Sequence, residues 1–338
     1  MYILAFETSC DDTSIAIFKN DKLIAMDTDS QICIHNKTGW VVPEVAAREH
    51  ANNIFKVLTN VLNQVKLSLE DIDYIWVTTN PWLLPSLLTG TTVAWTISTV
   101  LNKKIIPINH IEAHIFSNFL EIQEKEIQFP LVCLTVSWWH NDIYYMKSMF
   151  DIEKLGSTWD DAWWEAFDKA AKMMWLEYPG WPIISRLAAE YEAEWWKSTN
   201  LFPRVWLVKR EFNFSFSGLK SSIKREVDKR IKEKWELSLK DKKELSFEFE
   251  NAVTEVMAWK IVEAARQKRV KTVMLAWWVS ANNKLKNEIS KLANKEWLKF
   301  IYPVKNLYCM DNAAMVWINT YYKIKYNKFE EKVWVVKM

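Results

Sequence analysis

The chain has 338 residues, 50% of them apolar and 25% charged, with a net charge of +2. That length supports two domains with cores of their own, and the composition excludes a disordered or collagen-like chain. No run approaches the roughly 20 apolar residues of a membrane helix, and so balanced a charge leaves any nucleic-acid role to a local basic patch.

Residues 2–6 (YILAF) and 14–18 (SIAIF) are apolar runs that predict a hairpin, with ETSCDDT between them as a polar, hydroxyl-rich tip. The chain opens directly into the first run without a basic segment and a long apolar one, so no signal peptide is expected. A third strand is expected at 22–27. Val45, Ala46, Ile54, Val57, Leu58, Val61 and Leu62 recur at helical spacing and predict a helix over 43–65. A strand at 74–79, a helix from about 87 to 101 and a short strand at 105–109 follow, leading into a helix over 110–120 (HIEAHIFSNFL).

After a loop at 121–129 the order begins again. Strands are expected in LVCLTVS (131–137), DIYYMKSMF (142–150) and through KLG (154–156), then helices from about Ala162. Hairpin, strand, helix, strand, helix in both halves implies a duplicated α/β architecture, although no sequence repeat is visible. Residues 219–250 mix Lys and Arg with acids throughout, which favours a solvated helical pair over a basic face for RNA. TVMLA (272–276) predicts a buried strand running into a loop and a helix, and the last strands are expected at 299–303 and near 333–336.

The chain contains 21 Trp and only 5 Gly, where glycine ordinarily makes up roughly 7% of residues. The tryptophans cluster beside Pro, Asp, Ser and Asn, as in TGWVVPE, NPWLLPS, GSTWDDAWWEAFD, EYPGWP and LAWWVSAN. Tight turns want glycine there, because only glycine reaches positive φ without steric cost. Some genetic codes read UGA as glycine and others as tryptophan. The economical expectation is that many of these tryptophans stand where the functional protein has glycine. Trp206, Trp235, Trp259 and Trp297 lie in less diagnostic contexts. The competing reading is a Trp-rich platform that stacks sugars or single-stranded RNA.

Two constellations carry chemistry. His110 and His114 stand four apart in HIEAH, which on a helix puts both imidazoles on one face within reach of a single metal ion. A surface pair has the same spacing. Glu112 falls on the other side, so the zincin HExxH pattern and its general base are absent. Asp311, in YCMDNAAM, is either a third ligand from a distant segment or a helix N-cap. The second constellation is a set of corners rich in Ser, Thr, Asp and Asn: 7–14, 135–141 and 276–283. With glycine in place of tryptophan the last two read TVSGGHN and AGGVSANN. Such backbone can cradle phosphates and let a base lie close; as written, the indoles block that approach. Cys10, Cys33, Cys133 and Cys309 show no zinc or disulfide spacing and read as reduced thiols of a cytoplasmic protein.

FETSCDDTSIAI, GWVVPEVAAREH, NPWLLPSLLTGTTVA, NHIEAH, LTVSWWH, DDAWWEAFDKAAKMMWLEYPGWP, FNFSFSGLK, LAWWVSANNKL and CMDNAAM resemble, in order and over essentially the whole chain, the signatures of the TsaD/Gcp family of tRNA N6-adenosine threonylcarbamoyltransferases. The departures are nearly all Trp where the family has Gly; Ala113 is the other.

The resemblance implies an actin/hexokinase/Hsp70-like (ASKHA) fold, duplicated and two-lobed, with nucleotide in a central cleft. The implied domains are 1–130, 131–310 and a segment 311–338 returning to the first. It implies transfer of the threonylcarbamoyl group from threonylcarbamoyl-adenylate to the exocyclic amine of the adenosine beside the anticodon, in tRNAs reading codons that begin with A. His110, His114 and Asp311 would hold one divalent metal, iron or else zinc. Thr135, Val136, Ser137, Trp138 and Trp139, with Asp168, Trp181 and Asn282, would line the substrate pocket. Asp11 and Asp12 are the candidate proton acceptors. The implied partners are tRNA, a paralogous subunit and a small ATPase, with no membrane. An ATP-dependent kinase or ATPase of the same superfold, a metallopeptidase, and a non-catalytic binding protein are the alternatives.

Overall fold

The computed structural model describes residues 1–20, 22–35, 40–122, 124–136, 140–195, 197–205 and 212–328. The chain divides into two compact units: Met1–Glu126 together with the segment that begins at Pro303, and Ile127–Tyr302.

In the first unit, β1 (Tyr2–Glu7), β2 (Asp12–Lys19) and β3 (Lys22–Ser30) form an antiparallel meander. β1 and β2 are buried almost throughout, which is why they read as continuous apolar runs and not as alternation. The ladder is longer than the apolar runs predict. Asp12 and Thr13 pair with Ser30 and Asp29, and the Ser14 and Thr28 hydroxyls meet at 2.8 Å, so the tip shrinks to residues 8–11.

A single turn, α1 (Ile32–His35), precedes α2 (Pro43–Val65), which starts with Pro at its first position and buries Ala46, His50, Ile54, Val57, Leu58 and Val61 along one stripe. Then come β4 (Tyr74–Asn80), α3 (Leu84–Val100), β5 (Lys104–Asn109) and α4 (His110–Phe116). The helix expected over 110–120 ends at Phe116 and tightens into a 3₁₀ turn at Ser117–Phe119. β4 joins β1, and β5 joins β4, in parallel, giving the order β3-β2-β1-β4-β5.

The second unit repeats this plan. β6 (Leu131–Val136), β7 (Asn141–Ser148) and β8 (Asp151–Gly156) are antiparallel. Among the described residues four helices follow: α5 (Trp163–Met173), α6 (Gly180–Trp195), α7 (Ser217–Lys234) and α8 (Leu239–Lys268). β9 (Thr272–Ala276), α9 (Asn283–Lys295) and β10 (Lys299–Ile301) complete it, with β9 parallel to β6 and β10 parallel to β9. The order β8-β7-β6-β9-β10 matches the first sheet in sequence and sense, so the duplication expected from element order is present.

Residues 219–250 do form a helical pair, but α8 is not solvated. From Leu245 to Ala265 nearly every residue is buried, including Glu248, Glu250 and Lys260. Beyond Pro303 the chain belongs again to the first unit, where α10 (Ala313–Lys325) packs on β1, β2 and α4 and Trp317 stacks on Phe18 at 4.5 Å. The strand expected near 333–336 lies outside the described residues. No helix among the described residues is long and apolar enough to cross a membrane.

Candidate metal centre and the substrate residues

His110 opens α4. Asn109 caps the helix by accepting a hydrogen bond from the Glu112 amide at 3.1 Å, which sets the first turn and aims both histidines inward. Asp311 arrives from just before α10. Its neighbour Asn312, not Asp311, caps that helix, accepting from the Ala314 and Met315 amides, so the N-cap alternative for Asp311 is excluded and its carboxylate is left for the histidines. His114 Nε2 lies 2.8 Å from Asp311 Oδ1 and 3.1 Å from His110 Nε2, and His110 Nε2 lies 3.6 Å from the same Oδ1. All three side chains are buried, and their ligand atoms fall within 4.8 Å of one another.

Behind them stands a carboxylate that the sequence reading missed. Glu7, fully buried at the end of β1, faces His110 Nδ1 at 3.1 Å through Oε2. It also accepts from the Ser9 amide at 2.7 Å and the Thr78 hydroxyl at 2.5 Å, and Ser9 Oγ reaches His110 Nδ1 at 2.9 Å. A charged residue closing an otherwise apolar, doubly buried strand was the signal available for Glu7.

Burial disfavours the His110 imidazolium, but Glu7 and Asp311 outweigh it and raise the His110 pKa. Burial, and then the His110 charge, holds His114 well below the ordinary range. Burial works against ionised Glu7, yet His110 lowers its pKa. The donor set fits a divalent ion: a carboxylate-oriented imidazole, a second imidazole kept neutral, and a carboxylate oxygen converge on one point. Two imidazole Nε2 atoms at 3.1 Å can share at most one proton, whereas a cation satisfies both lone pairs.

The corner at residues 8–12 is built beside this cluster. His50 of α2 anchors it, donating from Nε2 to the Cys10 carbonyl at 3.0 Å and meeting Thr13 Oγ1 at 2.7 Å through Nδ1. Burial and then Asp311 raise the Asp11 pKa; burial and then Asp11 raise that of Asp12 well above the usual range. Asp12 Oδ1 is buried without a hydrogen-bond partner among the described residues.

The expected substrate residues belong to the second unit. Thr135 and Val136 end β6, buried, with Thr135 Oγ1 directed at the Asp142 carbonyl at 3.4 Å. Ser137, Trp138 and Trp139 lie outside the described residues. Asp168 and Trp181 are brought together at the start of α6: Gly180 donates its amide to Asp168 Oδ1 at 2.7 Å. Glycine is required at 180, since a Cβ there would meet Ala171 Cβ at 2.5 Å and the Phe167 carbonyl at 2.9 Å. Burial lifts the Asp168 pKa to about 6. Asn282 caps α9, accepting from the Leu285 amide at 2.8 Å and donating to Glu250 Oε1 at 3.0 Å. Glu250, with its pKa raised by burial, also accepts from Ser185 at 2.5 Å. Glu250 and Ser185 were not foreseen, because nothing local in their segments marks them.

Around these residues sits a cluster of indoles. Trp164 meets Trp163 at 5.2 Å, Trp181 at 4.8 Å and Trp278 at 6.2 Å between ring centroids. The N–H groups of Trp163 and Trp278 are buried without a hydrogen-bond partner among the described residues.

A twice-repeated β3-β2-β1-β4-β5 sheet with a buried two-histidine, one-aspartate cluster defines an α/β protein of the actin/hexokinase/Hsp70 type carrying a candidate metal centre. The crystal structure of T. kodakarensis HypF is similar in fold, with a TM-score of 0.61 at 13% identity over 97% of this chain and 47% of that one. The family model of TsaD, tRNA N6-adenosine threonylcarbamoyltransferase, matches residues 22–317. The enzyme of that name from Persephonella marina is 39% identical over 329 residues, 96% of this chain and 91% of its own. Its counterpart from Staphylococcus epidermidis is 40% identical over 321 residues, 95% of this chain and 91% of its own. The chain belongs to the TsaD family of tRNA N6-adenosine threonylcarbamoyltransferases.

Proposed function

We propose that this chain is an acyltransferase forming threonylcarbamoyladenosine beside the anticodon of tRNAs that read codons beginning with A, in the cytoplasm. The single observation that carries the reading is likeness at the level of the enzyme, about 40% identity along nearly the whole chain, over a fold that keeps His110, His114 and Asp311 together. The amine nitrogen of the adenosine bonds to the carbamoyl carbon, the bond from that carbon to the adenylate phosphate oxygen breaks, and one proton leaves the amine. Because the donor is already activated, positioning and charge screening are the main work of the protein.

His110, His114 and Asp311 would hold one divalent ion, iron in first place and zinc in second, since two imidazoles and one carboxylate leave positions open. When bound, such an ion would supply the Lewis-acid chemistry to polarise or orient the carbamoyl end. Glu7 and Ser9 orient His110. Asp11 and Asp12 are the proposed proton acceptors; carboxyls whose pKa is raised are the stronger bases once ionised. In the second unit, residues 135–139, Asp168, position 181 and Asn282 are proposed to hold the adenylate. A paralogous subunit and a small ATPase are the proposed partners.

The test is transfer itself. Unmodified tRNA, threonylcarbamoyl-adenylate, accessory subunits from a related bacterium and the metal-loaded chain are combined, and the tRNA nucleosides are analysed by mass. The modified adenosine is expected with a chain carrying glycine at the crowded corners. A folded, metal-loaded chain of that kind that yields none overturns the reading.

A further inference from the structure

We infer that Trp175, Trp235, Trp277 and Trp297 stand at positions the working protein fills with glycine, so that the codons behind them are decoded as glycine in the cell that makes it. Among the described residues, eleven other than glycine have positive φ. Four are asparagine, the residue that tolerates this region, and four are tryptophan. A residue type supplying 21 of 338 positions has no physical reason to match asparagine there, and a bulky side chain at positive φ is a true outlier.

The local structures say which residue fits. Trp175 and Trp297 each follow a helix in a Schellman closure. Leu176 N–H bonds the Ala171 carbonyl at 2.9 Å after α5, and Leu298 N–H bonds the Ala293 carbonyl at 2.9 Å after α9. Trp235 closes α7 at φ 71° with its amide on the Ile231 carbonyl at 2.7 Å. Glycine is the ordinary occupant of such helix ends. Trp277 is the sharpest case: at φ 77°, ψ −169° it occupies a region that is essentially glycine's alone.

Little burial offsets the strain at the helix ends among the described residues. Trp235 and Trp297 are 91% and 88% exposed, so their rings gain almost no burial, and Trp175, at 63% exposed, is left mostly in solvent. Trp235 and Trp297, whose sequence contexts are bland, thus become two of the clearest positions. Trp259, inside α8, shows no such backbone and is not included. An independent sign is the second-unit indole cluster, where buried Trp163 and Trp278 N–H groups find no hydrogen-bond partner among the described residues. Native interiors rarely leave such donors unsatisfied.

The experiment is a peptide mass map of the protein purified from its own cells, covering positions 175, 235, 277 and 297. Glycine at all four is expected, and tryptophan at 277 overturns the inference. A second measurement needs no native source. The chain as written and its Trp277→Gly variant are made recombinantly and melted. Removing a residue that is only 3% exposed ordinarily lowers the midpoint; here the midpoint is expected to rise, and a fall overturns the inference. Neither readout involves transfer to tRNA, so the inference and the proposed activity fail independently.

Discussion

In the first unit, the corner beyond β1 is held by a polar network in which Glu7 alone ties together Ser9, Thr78 and His110. In the second unit, which repeats the same strand order, the corner beyond β9 begins with Trp277 in a glycine-only conformation and continues into Trp278, whose buried indole N–H has no partner among the described residues. The two corners occupy different places in the repeated order, β9 matching β4 and β1 matching β6. They differ in that the first is held by side-chain hydrogen bonds while the second begins with a side chain its backbone does not suit. A fold of this kind depends on its strand order for shape, but on the residue type at each strand exit for chemistry.

The largest effect that sharpens this contrast is removal of a candidate metal ligand. Removing a ligand by Asp311→Asn or His114→Ala is expected to strip metal from the purified chain, read by elemental analysis, with threonylcarbamoyl transfer lost alongside. Full metal content in both variants would break the picture of the first unit. Glu7→Gln keeps the shape but weakens the charge behind His110, and about 10–100-fold weaker metal binding is expected, measured by competition with a chelator. An unchanged affinity would reduce Glu7 to a structural role.

The second unit offers smaller, pH-dependent effects. Asp168 has its folded pKa raised to about 6, above the unfolded value of about 3.9. The folded chain thus holds the extra proton between those values, and stability falls as pH rises through that window. Asp168→Asn keeps an acceptor for the Gly180 amide while removing the charge. It is expected to flatten that pH dependence and gain about 1–3 kcal/mol at neutral pH, measured by denaturant titration across pH. Smallest is Asn282→Ala, which removes the α9 cap and a donor to Glu250 at a cost of about 1 kcal/mol, with Asn282→Ser restoring most of it.

Much of this was legible beforehand. Apolar runs located β1, β2, β4, β6 and β9, because strands buried on both faces leave a continuous signature. The i,i+4 histidines located the first-unit centre, since helical spacing is a local property. The extra ladder at Asp12–Ser14 was hidden because its residues are polar and pair by register with Thr28–Ser30. The burial of α8 was hidden because its acids and lysines are hydrogen-bonded by partners far away, as Glu248 is by Ser198 and Thr199. Glu250 and Ser185 meet Asn282 only through tertiary packing, and no window of sequence contains all three.

His114 and Asp311 are separated by 197 residues, and the whole second unit lies between them along the chain. During synthesis, therefore, the two histidines emerge long before their carboxylate partner, and the centre cannot close until the second unit has been made. A chain that ends before residue 311 therefore holds both imidazoles without the carboxylate that completes the cluster.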